Sequence, residues 1–198
     1  MENQEKVWDA IAPEWHEHKQ IPSEASKEFL NECTGKVLDF GSGSGRHLTE
    51  IKNGKMYLLD FSKEMLKHAE EKAKKNKIEA EFIKSNLTKT SFEENFFDYA
   101  ISISALHCLK PEDSKKAIKE LYRILKPHGK AFIGVWNFHS KRFNQKKGKE
   151  KSIGWTDKGK RYYYLFEEKE IHDLFKKMGF KILSSHNSEM MINFVVAK

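Results

Sequence analysis

The sequence predicts an α/β fold: an open, mostly parallel sheet of seven strands, with helices on both faces and an antiparallel hairpin at the C-terminus. Three observations carry this. Short apolar runs of strand length alternate with stretches of helical period along most of the 198 residues. At the end of the chain two such runs follow one another with no helix between them. A glycine-rich stretch stands directly after the first strand-like run, where a doubly wound sheet turns from strand to helix.

Taken in order, Val7, Ala10, Ile11 and Trp15 are spaced as on one helix face, and Pro13 is expected to break or kink that segment. A helix from about Ser23 to Cys33 follows, with Ser23 as its cap and Phe29, Leu30 and Cys33 turned inward. KVLDF (36–40) is the first strand and runs into GSGSG, with a helix expected from about Ser44. MYLLDF (56–61) is the second strand, and Ser62 caps the long helix SKEMLKHAEEKAKKN. EAEFIKS (79–85) alternates as a third strand, and FFDYAISIS (96–104) is apolar enough for a sheet centre. A helix over about Glu112–Leu125 leads through a turn at Pro127–Gly129 into the fifth strand, KAFIGVWNF. FEEKEIHDLFKKMGF is an amphipathic helix stopped at Gly179, and FKILSSH and MINFVVAK form the closing hairpin. The chain divides as one domain into N-terminal helices (1–35), a central core (36–137), a basic segment (138–165) and the last helix with its hairpin (166–198).

Composition excludes several classes. With 38% hydrophobic and 33% charged residues the chain is expected to be globular and soluble, without need of a metal or disulfide staple. The N-terminus lacks the apolar region of a secretory signal, and no stretch approaches the ~18 apolar residues of a membrane span. Cys33 and Cys108 form no C-x-x-C and are expected as reduced thiols of a cytoplasmic protein. The charge is uneven. Lys141–Arg161 carries nine basic and two acidic residues, an excess equal to the +7 of the whole chain. Lysine runs are usually solvated surface, but Phe143 and Trp155 interleave with this one, as on nucleic-acid surfaces.

The glycine loop LDFGSGSG (38–45) offers a tight turn and free N–H groups that can cradle a phosphate, a ribose or a carboxylate. Its spacing is G-x-G-x-G; the dinucleotide fingerprint would need glycine where Arg46 stands, and no Lys-Ser/Thr pair makes a P-loop. Asp39, two residues before Gly41, would repel a pyrophosphate but suits a ligand with cationic groups nearby. Asp60 ends the second strand and can accept two hydrogen bonds from ribose hydroxyls, as an acid does in nicotinamide enzymes too. The first two features favour a nucleoside with a cationic amino-acid tail.

VLDFGSGSG followed by LLDFSKEMLKHA resembles the paired signature motifs of the class I S-adenosylmethionine-dependent methyltransferases, over about residues 36–137. The resemblance implies a Rossmann-like sheet and S-adenosyl-L-methionine as cofactor. It places Asp39, Gly41, Gly43 and Gly45 near the methionine moiety and Asp60 on the ribose, with Ser42, Phe61, Leu87 and Ser104 beside them. Asn86 stands where the family usually has an acid that reads the adenine amino group, a departure that its amide oxygen can bridge. Three further stretches, VWDAIAPEWHEHKQIP, FDYAISISALHCL and RYYYLFEEKEIHDLFKKMGF, resemble the tRNA methyltransferases that esterify the carboxymethyl group of wobble uridine. That resemblance implies tRNA as acceptor and a small zinc-binding activator protein as partner. The chain departs from the family at Ile192-Asn193-Phe194, where an Asp-Asn-Trp sequence is usual.

For the acceptor, an ionised carboxylate needs no strong general base, only a clamp and a wall. Arg161 can grip a carboxylate or phosphate bidentately, and Tyr162, Tyr163 and Tyr164 offer stacking faces, of which an extended segment turns at most two to one side. Arg161, Tyr162 and His107, at the mouth of the fourth strand, are the acceptor-site candidates. The bland alternatives are a core tyrosine, a satisfied loop histidine, and Trp136 as core packing. His16 and His18 lack a third ligand, so no metal site is expected. Two rival functions stay open: a small-molecule methyltransferase, whose activity would survive neutralisation of Lys146, Lys147, Lys149 and Lys151, and a cofactor- or RNA-binding subunit without turnover.

Overall fold

A computed structural model describes residues 3–18, 21–143, 146 and 148–198. Its main sheet has seven strands: β1 (Thr34–Phe40), β2 (Lys52–Asp60), β3 (Ala80–Lys84), β4 (Phe97–Ile103), β5 (Leu125–Trp136), β8 (Lys181–Ser185) and β9 (Met191–Ala197). The spatial order is β3-β2-β1-β4-β5-β9-β8. The first five strands pair in parallel, and β9 pairs antiparallel with both β5 and β8. The predicted sheet and closing hairpin are both present. Strand order reverses between β1 and β4, so their carboxyl ends frame a crevice.

Alternation along the strands divides the core into two layers. Leu38 and Phe40 of β1, with Ala131 and Ile133 of β5, pack under α4 (Pro111–Ile124) and α5 (Glu168–Lys177), where Ile118, Leu121, Ile171 and Phe175 are fully buried. Val37, Leu58 and Phe132 point the other way, onto α2 (Glu24–Asn31) and α3 (Lys63–Asn76) through Leu30, Leu66 and Ala69. The caps are those the sequence indicates: Ser23 accepts from Ser26 N and Ser62 from Met65 N.

Two expectations are corrected, and one segment holds an element the sequence reading did not place. Pro13 does not interrupt α1, which runs from Gln4 to His18. Pro13 removes one backbone donor, but the buried stripe Val7, Trp8, Ile11 and Ala12 keeps the helix docked. No helix follows the glycine loop: residues 41–47 are successive turns, because Gly41, Gly43 and Gly45 all hold positive φ. The basic segment contains a two-stranded antiparallel sheet, β6 (Glu150–Gly154) with β7 (Lys160–Tyr164). Of the lysines singled out in that segment, Lys147 lies outside the described residues, as do Asn144 and Gln145.

A third apolar cluster closes the carboxyl end of the sheet. Trp8, Ile11 and Ala12 of α1 meet Tyr163 of β7 and Met65 of α3, with Trp15, Trp136 and Trp155 around them. Helix α1 and the β6–β7 hairpin thus form one roof over the crevice. The next feature ties that roof down: Asp9 accepts from Ser62 Oγ (2.6 Å) and Glu64 N (3.3 Å), so α1 caps the N-terminus of α3. Asp9→Ala is expected to cost about 0.5–2 kcal/mol, the usual worth of an N-cap. A thermal melt should show a drop of a few degrees; no change would mean the contact contributes nothing.

Candidate functional site

The glycine loop is built by the end of β2. Gly41 N and Ser42 N both donate to Leu59 O, at 2.9 and 3.0 Å, which folds the chain back over the sheet edge. Asp60 then holds the far side: its carboxylate accepts from Gly43 N at 2.8 Å and from Ser62 N at 2.9 Å. Burial pushes the Asp60 carboxyl up to about 6, against the pull of those backbone donors. Gly45 turns to α3, where an added Cβ would lie 3.0 Å from the Ala69 Cβ. At Gly43 an added Cβ would meet nothing within 4 Å. That open side belongs to a cavity.

The cavity has a volume of ≈ 390 Å³ and opens at the sheet's switch point. Of the residues expected to hold a cofactor, Gly41, Ser42, Gly43, Asp60, Phe61, Asn86, Leu87 and Ser104 share its wall. Asp39 does not reach the wall. It lies beneath the loop, 1% exposed, with Oδ2 lacking any hydrogen-bond partner. The His47 Nδ1 lies 3.8 Å from that oxygen. Burial holds His47 down to about 3, so it is neutral, and burial pushes Asp39 up to about 7 while the Arg46 charge opposes. Asn86 spends its Oδ1 on Thr88, accepting from N and Oγ1 at 3.0 Å each, so an adenine amino group would have to share that oxygen.

The acceptor-side candidates separate. Tyr162 lines the cavity; its N–H donates to Gln4 Oε1 of α1 at 2.8 Å. Arg161 points away, into an aromatic box of Trp8, Trp15, Trp155 and Tyr163, with its guanidinium carbon 4.9–5.8 Å from the ring centres. Its Nη1 donates to Tyr163 Oη at 2.7 Å. From that place Arg161 joins α1 to the hairpin and does not face the cavity. His107 is also turned inward: it stacks on Trp136, its Nδ1 accepts from Trp136 N at 2.9 Å, and burial holds it down to about 3. Trp136 stacks between His107 and Tyr163 as core, and Tyr164 donates to Glu170 Oε1. His16 stacks on His68, and no group of three potential metal ligands occurs among the described residues.

The basic hairpin is partly spent inside the molecule. Lys149 pairs with Glu167 and Glu170 at 3.1 and 2.9 Å, and Lys158 with Glu14 at 2.5 Å, beside the Trp155 Nε1–Glu14 hydrogen bond. Sequence reasoning missed the roof. Gln4, Glu5, Trp8 and Trp15 of α1 and Arg46 of the loop all line the cavity. The helical spacing of α1 was a signal for a helix but carried none for the end of the sheet it would cover.

A profile described as a methyltransferase domain matches residues 37–129. The chain is 34% identical over 134 residues to the tRNA (carboxymethyluridine(34)-5-O)-methyltransferase of Arabidopsis thaliana, an alignment covering 66% of this chain and 32% of that one. A ubiquinone/menaquinone biosynthesis C-methyltransferase of Cronobacter sakazakii is 31% identical over 119 residues, covering 54% and 47%. An uncharacterized protein of Methanocaldococcus jannaschii is 30% identical over 185 residues, covering 88% and 81%. A solved methyltransferase of Methanosarcina mazei shares the fold at a TM-score of 0.73 and 21% identity, covering 90% of this chain and 98% of its own. The chain carries a methyltransferase domain over residues 37–129, in the fold of the class I S-adenosylmethionine-dependent methyltransferases. It spans about a third of the first relative's length and about half of the second's.

The site suits the family's cofactor on its own chemistry. Glu5, Asp60 and Asp113 line the wall beside the cations Arg46 and Lys110, with Glu5 and Asp113 also paired to Lys84 and Lys116 outside it, and a bare carboxylate oxygen lies beneath the loop at Asp39. Such a wall favours a ligand that carries two positive groups and one carboxylate. Among the described residues no helix is long and apolar enough to cross a membrane.

Proposed function

We propose that the protein methylates tRNA, esterifying the carboxylate of a carboxymethyluridine at the wobble position. The observation that carries this is the want of an uncommitted carboxylate or charged histidine among the described residues of the cavity wall. Of the wall carboxylates, Glu5 pairs with Lys84 at 2.7 Å, Asp113 with Lys116 at 2.9 Å, and Asp60 holds two backbone donors. The wall histidine, His47, is neutral and held to about 3, and His107 spends its Nδ1 on Trp136. An acceptor that had to lose a proton would find little help here, whereas a carboxylate arrives ionised. The tRNA methyltransferase relative supports the same choice.

When bound, the cofactor supplies a methyl group on a sulfonium, open to in-line attack by a nucleophile. The chain's own part is to hold the reactants in line and keep water out, which is worth roughly 7–11 kcal/mol of the barrier in well-oriented systems. Tyr162 offers the acceptor base a stacking face, and Trp8 and Trp15 of the roof exclude water. The exposed basic residues of the hairpin hold the phosphates, and a small zinc-binding activator is the expected partner.

A small-molecule acceptor is the second possibility, favoured by the internal pairing of Lys149 and Lys158 and by the C-methyltransferase relative. Labelled S-adenosylmethionine with bulk tRNA, with and without the activator, distinguishes them. The expected product is label on a carboxymethyluridine ester, released by mild alkali. Cofactor binding without any transfer to tRNA would move the acceptor to a small molecule.

A further inference from the structure

We infer that Arg46 is the clamp for the α-carboxylate of the cofactor's amino-acid tail. Arg46 follows Gly45 directly and lines the cavity, half-buried. No hydrogen bond or ion pair joins its guanidinium to any described residue. A guanidinium so placed keeps its donors open toward the cavity, where a ligand's carboxylate can accept from them.

The neighbours explain why the position stays open. Lys72, the other cation close by, is committed: its Nζ donates to Gly45 O at 2.8 Å and so fixes the loop that carries Arg46. His47 is neutral. Asp39 senses the Arg46 charge but sits beneath the loop with Oδ2 unpaired, so the two do not form a salt bridge. The result is a fork of N–H donors on the cavity wall, of the geometry that accepts a carboxylate bidentately.

S-Adenosylmethionine carries a single anionic group, the α-carboxylate. Two cations on the wall could meet it, Arg46 and Lys110. Lys110 is exposed at the N-terminal end of α4 and keeps its hydration, which leaves a lysine there little to gain. Arg46 is half-buried on the loop itself, beside the glycines. It is therefore the residue that would distinguish a cofactor with an intact amino-acid tail from a nucleoside without one.

The test compares two ligands by calorimetry: S-adenosylhomocysteine, which keeps the tail, and 5′-methylthioadenosine, which lacks it. Arg46→Met should weaken S-adenosylhomocysteine by about 10- to 100-fold, the worth of a charged hydrogen-bonded pair. Methylthioadenosine affinity should stay as in the unaltered protein, and Lys110→Met should change neither. If Arg46→Met does not fold, Arg46→Gln is read in the same way. Three results would overturn the assignment: retained preference for the tailed ligand, equal weakening of both ligands, or loss of the preference in Lys110→Met instead. None of these depends on the acceptor, so a failed tRNA assay would leave the outcome intact.

Discussion

Gly41→Val is expected to destabilise the fold and the cofactor site together, while Gly43→Ala weakens ligand binding and leaves the fold standing. Gly41 holds φ +90, and an added Cβ would lie 2.3 Å from the Ala105 Cβ, at the point where the ends of β1 and β4 adjoin. Two costs combine there. Left-handed backbone costs a residue with a Cβ roughly 1–2 kcal/mol, and forcing carbon into a packed space costs about 1–3 kcal/mol. At 198 residues a loss of that size lowers Tm by roughly 4–20 °C. The shift also reaches the site, because Gly41 N and Ser42 N share the Leu59 carbonyl that sets the loop. Gly43 differs in one respect. Its φ is +53, so alanine pays a similar backbone cost, but its Cβ would project into open cavity. The protein should melt only a few degrees lower and bind S-adenosylhomocysteine at least roughly tenfold more weakly, since the added methyl occupies ligand space. Melting curves with and without ligand read both quantities. If Gly43→Ala bound as well as the unaltered protein, the open side of the loop would not be the cofactor side.

The same pair of glycines shows what the sequence could and could not disclose. Strands, caps and the order of elements were legible because each rests on local chemistry: period-two apolar runs, Ser23 and Ser62 before helices, Gly179 after one. The glycine pattern marked a loop on the cavity wall for the same reason. It also hid the missing helix, since positive φ at Gly43 and Gly45 is a tertiary choice made by Asp60 and α3. The β6–β7 hairpin was masked by lysine and glycine, whose composition looks like loop; its pairing is secured by contacts distant in sequence, such as Lys149 with Glu170 and Lys158 with Glu14. Arg161 is the sharpest case. An arginine before three tyrosines suggests a ligand clamp, but alternation in β7 sends Arg161 and Tyr163 to the α1 side and Tyr162 to the cavity. Only the position of α1 decides which face is which, and nothing within either segment encodes it. Arg46 was visible merely as a missing glycine, because its solitude is a property of its surroundings.

Affinity for S-adenosylhomocysteine is expected to rise between about pH 5 and pH 7 and to level off above, with protons released on binding. In the free protein burial holds the Asp60 carboxyl near 6 and the Asp39 carboxyl near 7, well above the ordinary carboxylate value. Ribose hydroxyls donate to a carboxylate and an ammonium is drawn to one, so the ligand favours the ionised form of each. Below those values a proton must leave before the ligand binds, and each proton released steepens the dependence by up to one decade per pH unit. Stability of the free protein moves otherwise. Carboxyls held above their unfolded value lose stability as pH rises through the window from about 4 to 7. His47 and His107, held down near 3, gain stability as pH rises from there to about 6.5. The two contributions oppose one another across most of the window, so the free protein's melting temperature should vary much less than its affinity. Calorimetry in two buffers of different ionisation enthalpy counts the protons directly. Asp60→Asn should remove the lower step at the cost of weaker binding, because the amide has a single acceptor oxygen and its NH2 cannot accept from the second of Gly43 N and Ser62 N. Affinity that is flat from pH 5 to 7, with no proton released, would mean that neither carboxyl changes ionisation when the ligand enters. The charge balance of the wall would then rest on Glu5, Asp113, Arg46 and Lys110 alone.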